Sequence, residues 1–332
     1  MKVLFVCSGN SKNGISSNIK NQSLSLEKYI KELKIDYFAI QGRGIIGYLR
    51  NIKPLKNLLK NNNYDIIHAH YSFSAFCASL AGAKPLVVTL MGSDVKANFL
   101  NKYLIRFFAF FYHWQHLIVQ SEDMKKTLSM RKVRIIPNGI DLHMFVPIDK
   151  RKCQEQLGWD VEKTHILFPS NPIRYVKNHE LFLKTIILLN DTSLEIHYFE
   201  NVPHKQTPIW YNAADLVILT SLWEGSPNAI KEAMACDRPI VATNVGDIKV
   251  LFGNEDGFYI TEFDICNCAR KIEQALVFAN EKKHTKGRER LIALKIDDVS
   301  IAKRIYNLYD NIINKSNENI YRHKPSRPRT LF

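Results

Sequence analysis

Apolar, β-branched runs of four or five residues recur along the first part of the chain, at 3–7, 37–40, 66–69, 86–89, 117–120 and 133–136, with amphipathic stretches between them. Short unbroken apolar runs suit strands buried on both faces, and amphipathic spacers suit covering helices, so the pattern predicts a doubly wound α/β unit with a parallel sheet. Residues 23–33 show the helical period, with Leu24, Leu26, Ile30 and Leu33 near one face and Lys28, Lys31 and Glu32 elsewhere. The turn-rich segment 137–147, PNGIDLHMFVP, ends this alternation and marks a domain junction. A second alternation follows, with strands at 166–168, 194–198, 216–219 and 240–242 and helices at 176–189 and 228–235. Helical patterns at 264–279, 288–293 and 300–313 come next, then a polar, Arg-rich stretch, 316–332, expected to be a flexible basic tail. The expected domains are therefore 1–140 and 141–315. Two such α/β units predict a ligand site at the carboxyl ends of their strands, in a cleft between them.

Charge sharpens the picture. The 332 residues hold 46 Lys and Arg against 32 Asp and Glu, a net +14. Residues 1–60 have eleven basic and three acidic side chains and residues 282–332 have thirteen and five, so the excess lies at the two ends. The six cysteines show no CxxC or finger spacing, which suits a reduced, cytoplasmic protein. The opening MKVLFVCSGN reads as a strand rather than a signal peptide, and no apolar run is long enough to span a bilayer, so membrane contact is expected to be peripheral.

The strand at 216–219 runs into TSLWEGSPN, after which a helical pattern resumes. Gly225 allows close approach of a ligand to the backbone, and the helix start near Pro227 and Asn228 offers unpaired amides and the positive dipole end to an anion such as phosphate. An ordinary capped helix with a solvated Glu224 explains the loop equally well.

The stretch from Glu224 to Glu232, EGSPNAIKE, followed by AMACDRPIVATNVGD, resembles the EX7E signature of retaining GT-B glycosyltransferases, family 4 (glycosyl transferases group 1). The resemblance extends in order to YNAAD at 211–215, PNGID at 137–141, DIIHAH at 65–70 and TLMGSD at 89–94. It implies two Rossmann-like domains facing each other across a cleft, with the last helix returning to the first domain. It also implies that Glu224 lies by the donor sugar, with Ser226, Pro227 and Asn228 beside the donor, and that Glu232 binds the ribose. Arg174 and Lys177, in FPSNPIRYVKN, match the Arg and Lys that hold the donor diphosphate. An Arg fork and a Lys point charge suit charge building on a departing diphosphate.

In the first half, Gly14 lies in a polar loop after the first strand, matching the glycine turn that faces the diphosphate. The loop is neither GxGxxG nor a P-loop, which removes the main support for NAD or ATP chemistry. His68 and His70 share a strand face at i, i+2; His70 is the candidate donor-site residue and His68 is expected to be structural. The family often carries a His two positions before Gly92, where this chain has Leu90. No metal-ligand set or DxD pattern is seen, so no metal and no cofactor are expected.

The reading is a retaining, metal-independent hexosyltransferase that moves a sugar from a UDP- or GDP-sugar to a saccharide or lipid-linked acceptor in polysaccharide or glycolipid assembly. An NDP-sugar epimerase of the same architecture and a non-enzymatic polyanion binder are the alternatives, the second motivated by +14 but lacking any nucleic-acid-binding motif. The basic ends, and an aromatic stretch at 98–114 that equally suits a core helix, predict a docking surface for anionic membrane on the inner face of the cell membrane.

Overall fold

The computed structural model describes residues 1–11, 14–96 and 99–322. Among the described residues, eleven strands form two sheets. The first contains β1 (Lys2–Ser8), β2 (Lys34–Ile40), β3 (Ile66–His70), β4 (Leu86–Thr89), β5 (His116–Val119) and β6 (Val133–Ile135), in the order β2-β1-β3-β4-β5-β6. The second contains β7 (Thr164–Phe168), β8 (Leu194–Tyr198), β9 (Leu216–Leu219), β10 (Ile240–Thr243) and β11 (Phe258–Thr261), in the order β11-β10-β9-β7-β8. β1 to β5 pair in parallel, as do β7 to β11. The architecture is thus two parallel-sheet α/β units.

Strand β9 shows why its sequence is apolar throughout. Leu216 and Ile218 pack with Phe168, Phe182 and Ile272 in one cluster, whereas Val217 and Leu219 pack with Ile230, Ala233 and Met234 of the helix Asn228–Ala235 in another. Both faces of the strand are covered by helices, and each fully buried aliphatic side chain contributes about 1.5–3 kcal/mol.

Two elements differ from the periodicity. The first helix is Ser17–Tyr29 rather than 23–33. Its buried face is Ile19, Ser23 and Leu26, Leu24 is exposed, and Ile30 is already extended, because Leu33 and Ile35 are needed at the buried entry to β2. The pattern at 176–189 is broken into a 3-10 turn, Tyr175–Lys177, and a helix, His179–Leu189, by Asn178 in the left-handed region at φ 48°.

By compactness the chain divides into one unit of Met1–Leu90, Leu104–Ile118 and Ala302–Phe332 and another of Met91–Tyr103 and Val119–Ile301. The C-terminal helix Asp298–Arg322 returns to the first unit, where the Tyr309 hydroxyl lies 2.5 Å from Nδ1 of the buried His68. This helix takes in the first residues of the stretch expected as a tail; 323–332 lie outside the described residues, as does Asn98. The division also partitions the charge: the first unit has 20 basic and 6 acidic residues, the second 26 of each. The whole net charge therefore belongs to the first unit. No helix among the described residues is long and apolar enough to cross a membrane.

Candidate active site

In the second unit β7 and β9 are neighbours, and the loops leaving their carboxyl ends are stitched together. Leu222 N–H donates to Val176 O at 2.8 Å, and Thr220 Oγ1 donates to the carbonyls of Lys177 and Asn178 at 2.9 and 3.0 Å. The stitching carries the buried Lys177 to Glu224, with Nζ 2.6 Å from Oε1. Ser221 Oγ donates to the same oxygen at 2.9 Å. A buried ammonium requires such a partner, since desolvation without one costs several kcal/mol. Arg174, three residues earlier, is exposed and holds the 3-10 turn through its carbonyl, which accepts from Lys177 N–H at 2.8 Å. Its guanidinium is not part of the pair.

Past Glu224, Pro227 stands extended as the N-cap of the helix Asn228–Ala235 and has no side-chain acceptor to cap it. Its first amides are the kind that receive an anion. Ser226 Oγ donates to Asp247 Oδ2 at 2.6 Å. Burial pushes the Asp247 carboxyl up to about 6, against the opposing pull of Lys231 and the Ser226 hydrogen bond. Lys231 is itself fully buried and donates to Asn138 O at 2.7 Å; burial brings its ammonium down to about 8.

Three glycines allow the loops to meet. A Cβ on Gly92 would lie 2.9 Å from Gly225 N, one on Gly225 2.7 Å from Gln120 Oε1, and one on Gly246 2.6 Å from Gly225 O. Gly92 and Gly246 also have φ of +103° and +62°, which side chains rarely adopt.

About one turn into the same helix, Glu232 accepts from Tyr211 OH at Oε2 (2.8 Å) and meets His204 Nε2 at Oε1 (3.0 Å). The hydrogen bond to Glu232 raises the His204 pKa, with burial opposing it. Glu224 and Glu232 therefore occupy different settings: one is paired with a lysine at the loop, the other is held by a phenol and an imidazole.

Residues 22–144 match the family described as Glycosyltransferase Family 4, and residues 188–277 match Glycosyl transferases group 1. The chain is 28% identical over 268 residues to UDP-Gal:alpha-D-GlcNAc-diphosphoundecaprenol alpha-1,3-galactosyltransferase of Escherichia coli, covering 67% of this chain and 68% of that one. It is 26% identical to the putative teichuronic acid biosynthesis glycosyltransferase TuaC of Bacillus subtilis, covering 66% and 65%. A match to D-inositol 3-phosphate glycosyltransferase of Paenarthrobacter aurescens, 28% identical, takes in 35% of this chain and 36% of that one. The fold matches sucrose-phosphate synthase from Thermosynechococcus elongatus with a TM-score of 0.80 at 15% identity, over 95% and 100% of the two chains. It matches Anabaena HepE in complex with UDP and glucose with a TM-score of 0.72 at 17% identity, over 94% and 100%. The chain is a group 1 glycosyltransferase of GT-B fold.

In the first unit of this glycosyltransferase, Gly14 has φ +78° in a turn closed by reciprocal bonds with Ser11, and a Cβ there would meet nothing within 4 Å. His70 is buried at the carboxyl end of β3, its ring 4.5 Å from that of Phe5 and its Nε2 without a hydrogen-bond partner. Burial lowers its pKa to about 3. His68 is held between Tyr309 and Thr89 Oγ1, the latter 2.7 Å from Nε2.

The motifs that mark the site in the glycosyltransferase's sequence assign no role to Ser221, Asp247, His204 or Lys231. Ser221 carries a signal in its place two residues after β9, where strand-end side chains gather. His204 carries none, since it reaches Glu232 across 28 positions from a separate 3-10 turn, His204–Gln206.

Proposed function

We propose that this glycosyltransferase moves a sugar from a UDP- or GDP-sugar to an acceptor hydroxyl with retention and without a metal ion, in the assembly of cell-surface polysaccharide or glycolipid. The observation that carries the reading is the buried Lys177 held 2.6 Å from Glu224, on loops that also lead to the start of the helix Asn228–Ala235. Lys177 supplies positive charge to the leaving diphosphate, with Arg174 joining it and the backbone N–H groups of Ser226 and Asn228, on either side of Pro227, donating to phosphate oxygens. Glu224 orients Lys177 and the sugar hydroxyls. Glu232 accepts the ribose hydroxyls with the lone pairs that Tyr211 and His204 leave open, since a carboxylate accepts about four hydrogen bonds. The departing phosphate takes the acceptor proton on the same face, so no separate base is assigned. The relative that names UDP-Gal and a diphosphoundecaprenol-linked acceptor supports a nucleotide-sugar donor and a lipid-linked acceptor.

Incubation with radiolabelled UDP- and GDP-sugars and lipid-linked acceptor, followed by NMR of the product anomer, tests the reading. Transfer with the donor's anomeric configuration is expected. An inverted product, or epimerised donor without transfer, would overturn it.

The first unit is the membrane-facing one in this proposal. The helices Gly44–Arg50 and Phe99–Phe111 both reach the helix Ser72–Leu80, through the rings of Tyr48 on Phe73 and of Phe108 on Phe76. They leave Ile45, Ile46, Leu49, Phe107, Phe110 and Phe111 exposed, Phe110 at 72%. Residues 37–64 hold Arg43, Arg50, Lys53, Lys56 and Lys60 and no carboxylate, which suits an anionic bilayer on the inner face of the cell membrane. Co-sedimentation with phosphatidylglycerol vesicles at low salt is expected, and its loss in Ile46→Ser/Phe110→Ser. Failure to sediment would remove the membrane reading and leave transfer intact.

A further inference from the structure

Away from Lys177, at the opposite end of β7, three ligand-type side chains converge. Strands β7 and β8 pair in parallel with His165 opposite Glu195 and Leu167 opposite His197. His165 Nε2 lies 2.8 Å from the carbonyl oxygen of Asp160, which can only accept; the ring proton is therefore on Nε2 and the lone pair on Nδ1. A backbone carbonyl that fixes the tautomer in this way is the usual support of a metal-ligating imidazole.

Nδ1 of His165 is 2.9 Å from His197 Nε2 and 3.5 Å from Glu195 Oε2, and the third side of the triangle, His197 Nε2 to Glu195 Oε2, is 4.0 Å. The point equidistant from these three atoms lies about 2 Å from each, the length of zinc–nitrogen and zinc–carboxylate bonds. The scaffold is rigid: His165 is fully buried, and the ring of His197 lies flat on Trp159 with centroids 3.4 Å apart and planes at 7°. The Glu195 side chain is 39% exposed, which gives an ion a route in and leaves room for water.

We propose that His165, Glu195 and His197 form a structural zinc site with three protein ligands and one water. In the metal-free form His197 Nε2 carries the ring proton and donates it to His165 Nδ1. In the bound form that proton resides on His197 Nδ1, and both facing nitrogens offer lone pairs to the ion. The set of two imidazoles and one carboxylate suits Zn²⁺ better than Mg²⁺ or Ca²⁺, which take oxygen ligands. The ion would pin β7 to β8, the edge strand of the second sheet. It takes no part in the transfer, because His165 is the second residue of β7 whereas Lys177 follows the strand's other end.

Chelator-treated full-length protein titrated with Zn²⁺ by calorimetry, with thermal unfolding followed in parallel, tests the proposal. One equivalent binding at micromolar concentration or tighter, with a rise in Tm, is expected. Glu195→Ala, a half-exposed change that leaves the strands intact, and His197→Gln should each weaken binding at least tenfold. Zinc affinity unchanged in Glu195→Ala, or no one-to-one binding by the parent protein, would overturn it and show the two histidines to be only a hydrogen-bonded pair.

Discussion

Lys177 Nζ donates to Glu224 Oε1 across 2.6 Å, and both residues sit on loops that enter the site from different strands. In the proposed reaction the pair joins a stability role to a charge role, and the two separate by mutation. Lys177→Ala and Arg174→Ala should each lower kcat about 100-fold if both positions support the departing diphosphate. Only Lys177→Ala should also lower Tm, because it strands a half-buried Glu224, while Arg174 is exposed and outside the pair. Near-normal turnover in both variants would sink the diphosphate assignment.

Tyr211→Phe removes the phenol that donates to Glu232 Oε2 and leaves every packing atom of a fully buried ring in place. A loss of about 1–2 kcal/mol in urea unfolding is expected. Donor KM should rise as well, with little change in kcat, if Glu232 binds the ribose as proposed rather than acting on the reacting bond.

Asp247 gives the protein a pH-dependent weakness. Its folded pKa of about 6 lies above the ordinary 3.8, so the folded state binds the extra proton between these values. Stability credited to this group is fully present below about pH 4 and is lost as pH rises through about 6, a difference of about 3 kcal/mol. Asp247→Asn keeps an acceptor for Ser226 Oγ and should flatten the fall in Tm between pH 4 and 7. His204 has the same sign: its raised pKa means that its bond to Glu232 stabilises below about pH 6.5 and fades at higher pH as the folded imidazole loses its proton. His204→Gln should remove that component.

The glycines separate strain from collision. Gly14→Ala meets no atom within 4 Å, so only its φ of +78° opposes the change and a loss of about 1 kcal/mol is expected. Gly246→Ala has the same backbone penalty and places a methyl 2.6 Å from the Gly225 carbonyl oxygen, which cannot swing away. A loss of about 3 kcal/mol or more in equilibrium unfolding should distinguish it.

Local signals fixed the strands and the charged ends of the site more readily than its interior. β4, β8 and β9 are bounded by their apolar runs, and the helix Asn228–Ala235 by Pro227 before it and the Cys-Asp-Arg-Pro turn after it. β11, Phe258–Thr261, leaves a weak trace in the sequence because three of its four residues are only partly buried and its run is short. Glu224 and Lys177 stood out through a family resemblance, and their contact depends on Asn178 in the left-handed region and on Thr220, neither of which the pattern of apolar residues encodes. The partners of Glu232 depend on tertiary proximity, since Tyr211 and His204 lie 21 and 28 positions away.

The hydrogen bond between His68 and Tyr309 spans 241 positions, and the unit that holds the first strand also holds the last helix. On a ribosome, the strands of the first unit therefore emerge before the helix that completes their core has been made. Closure of that core waits for the residues from 302 onward, so the first sheet stays unfinished while the second unit is synthesised.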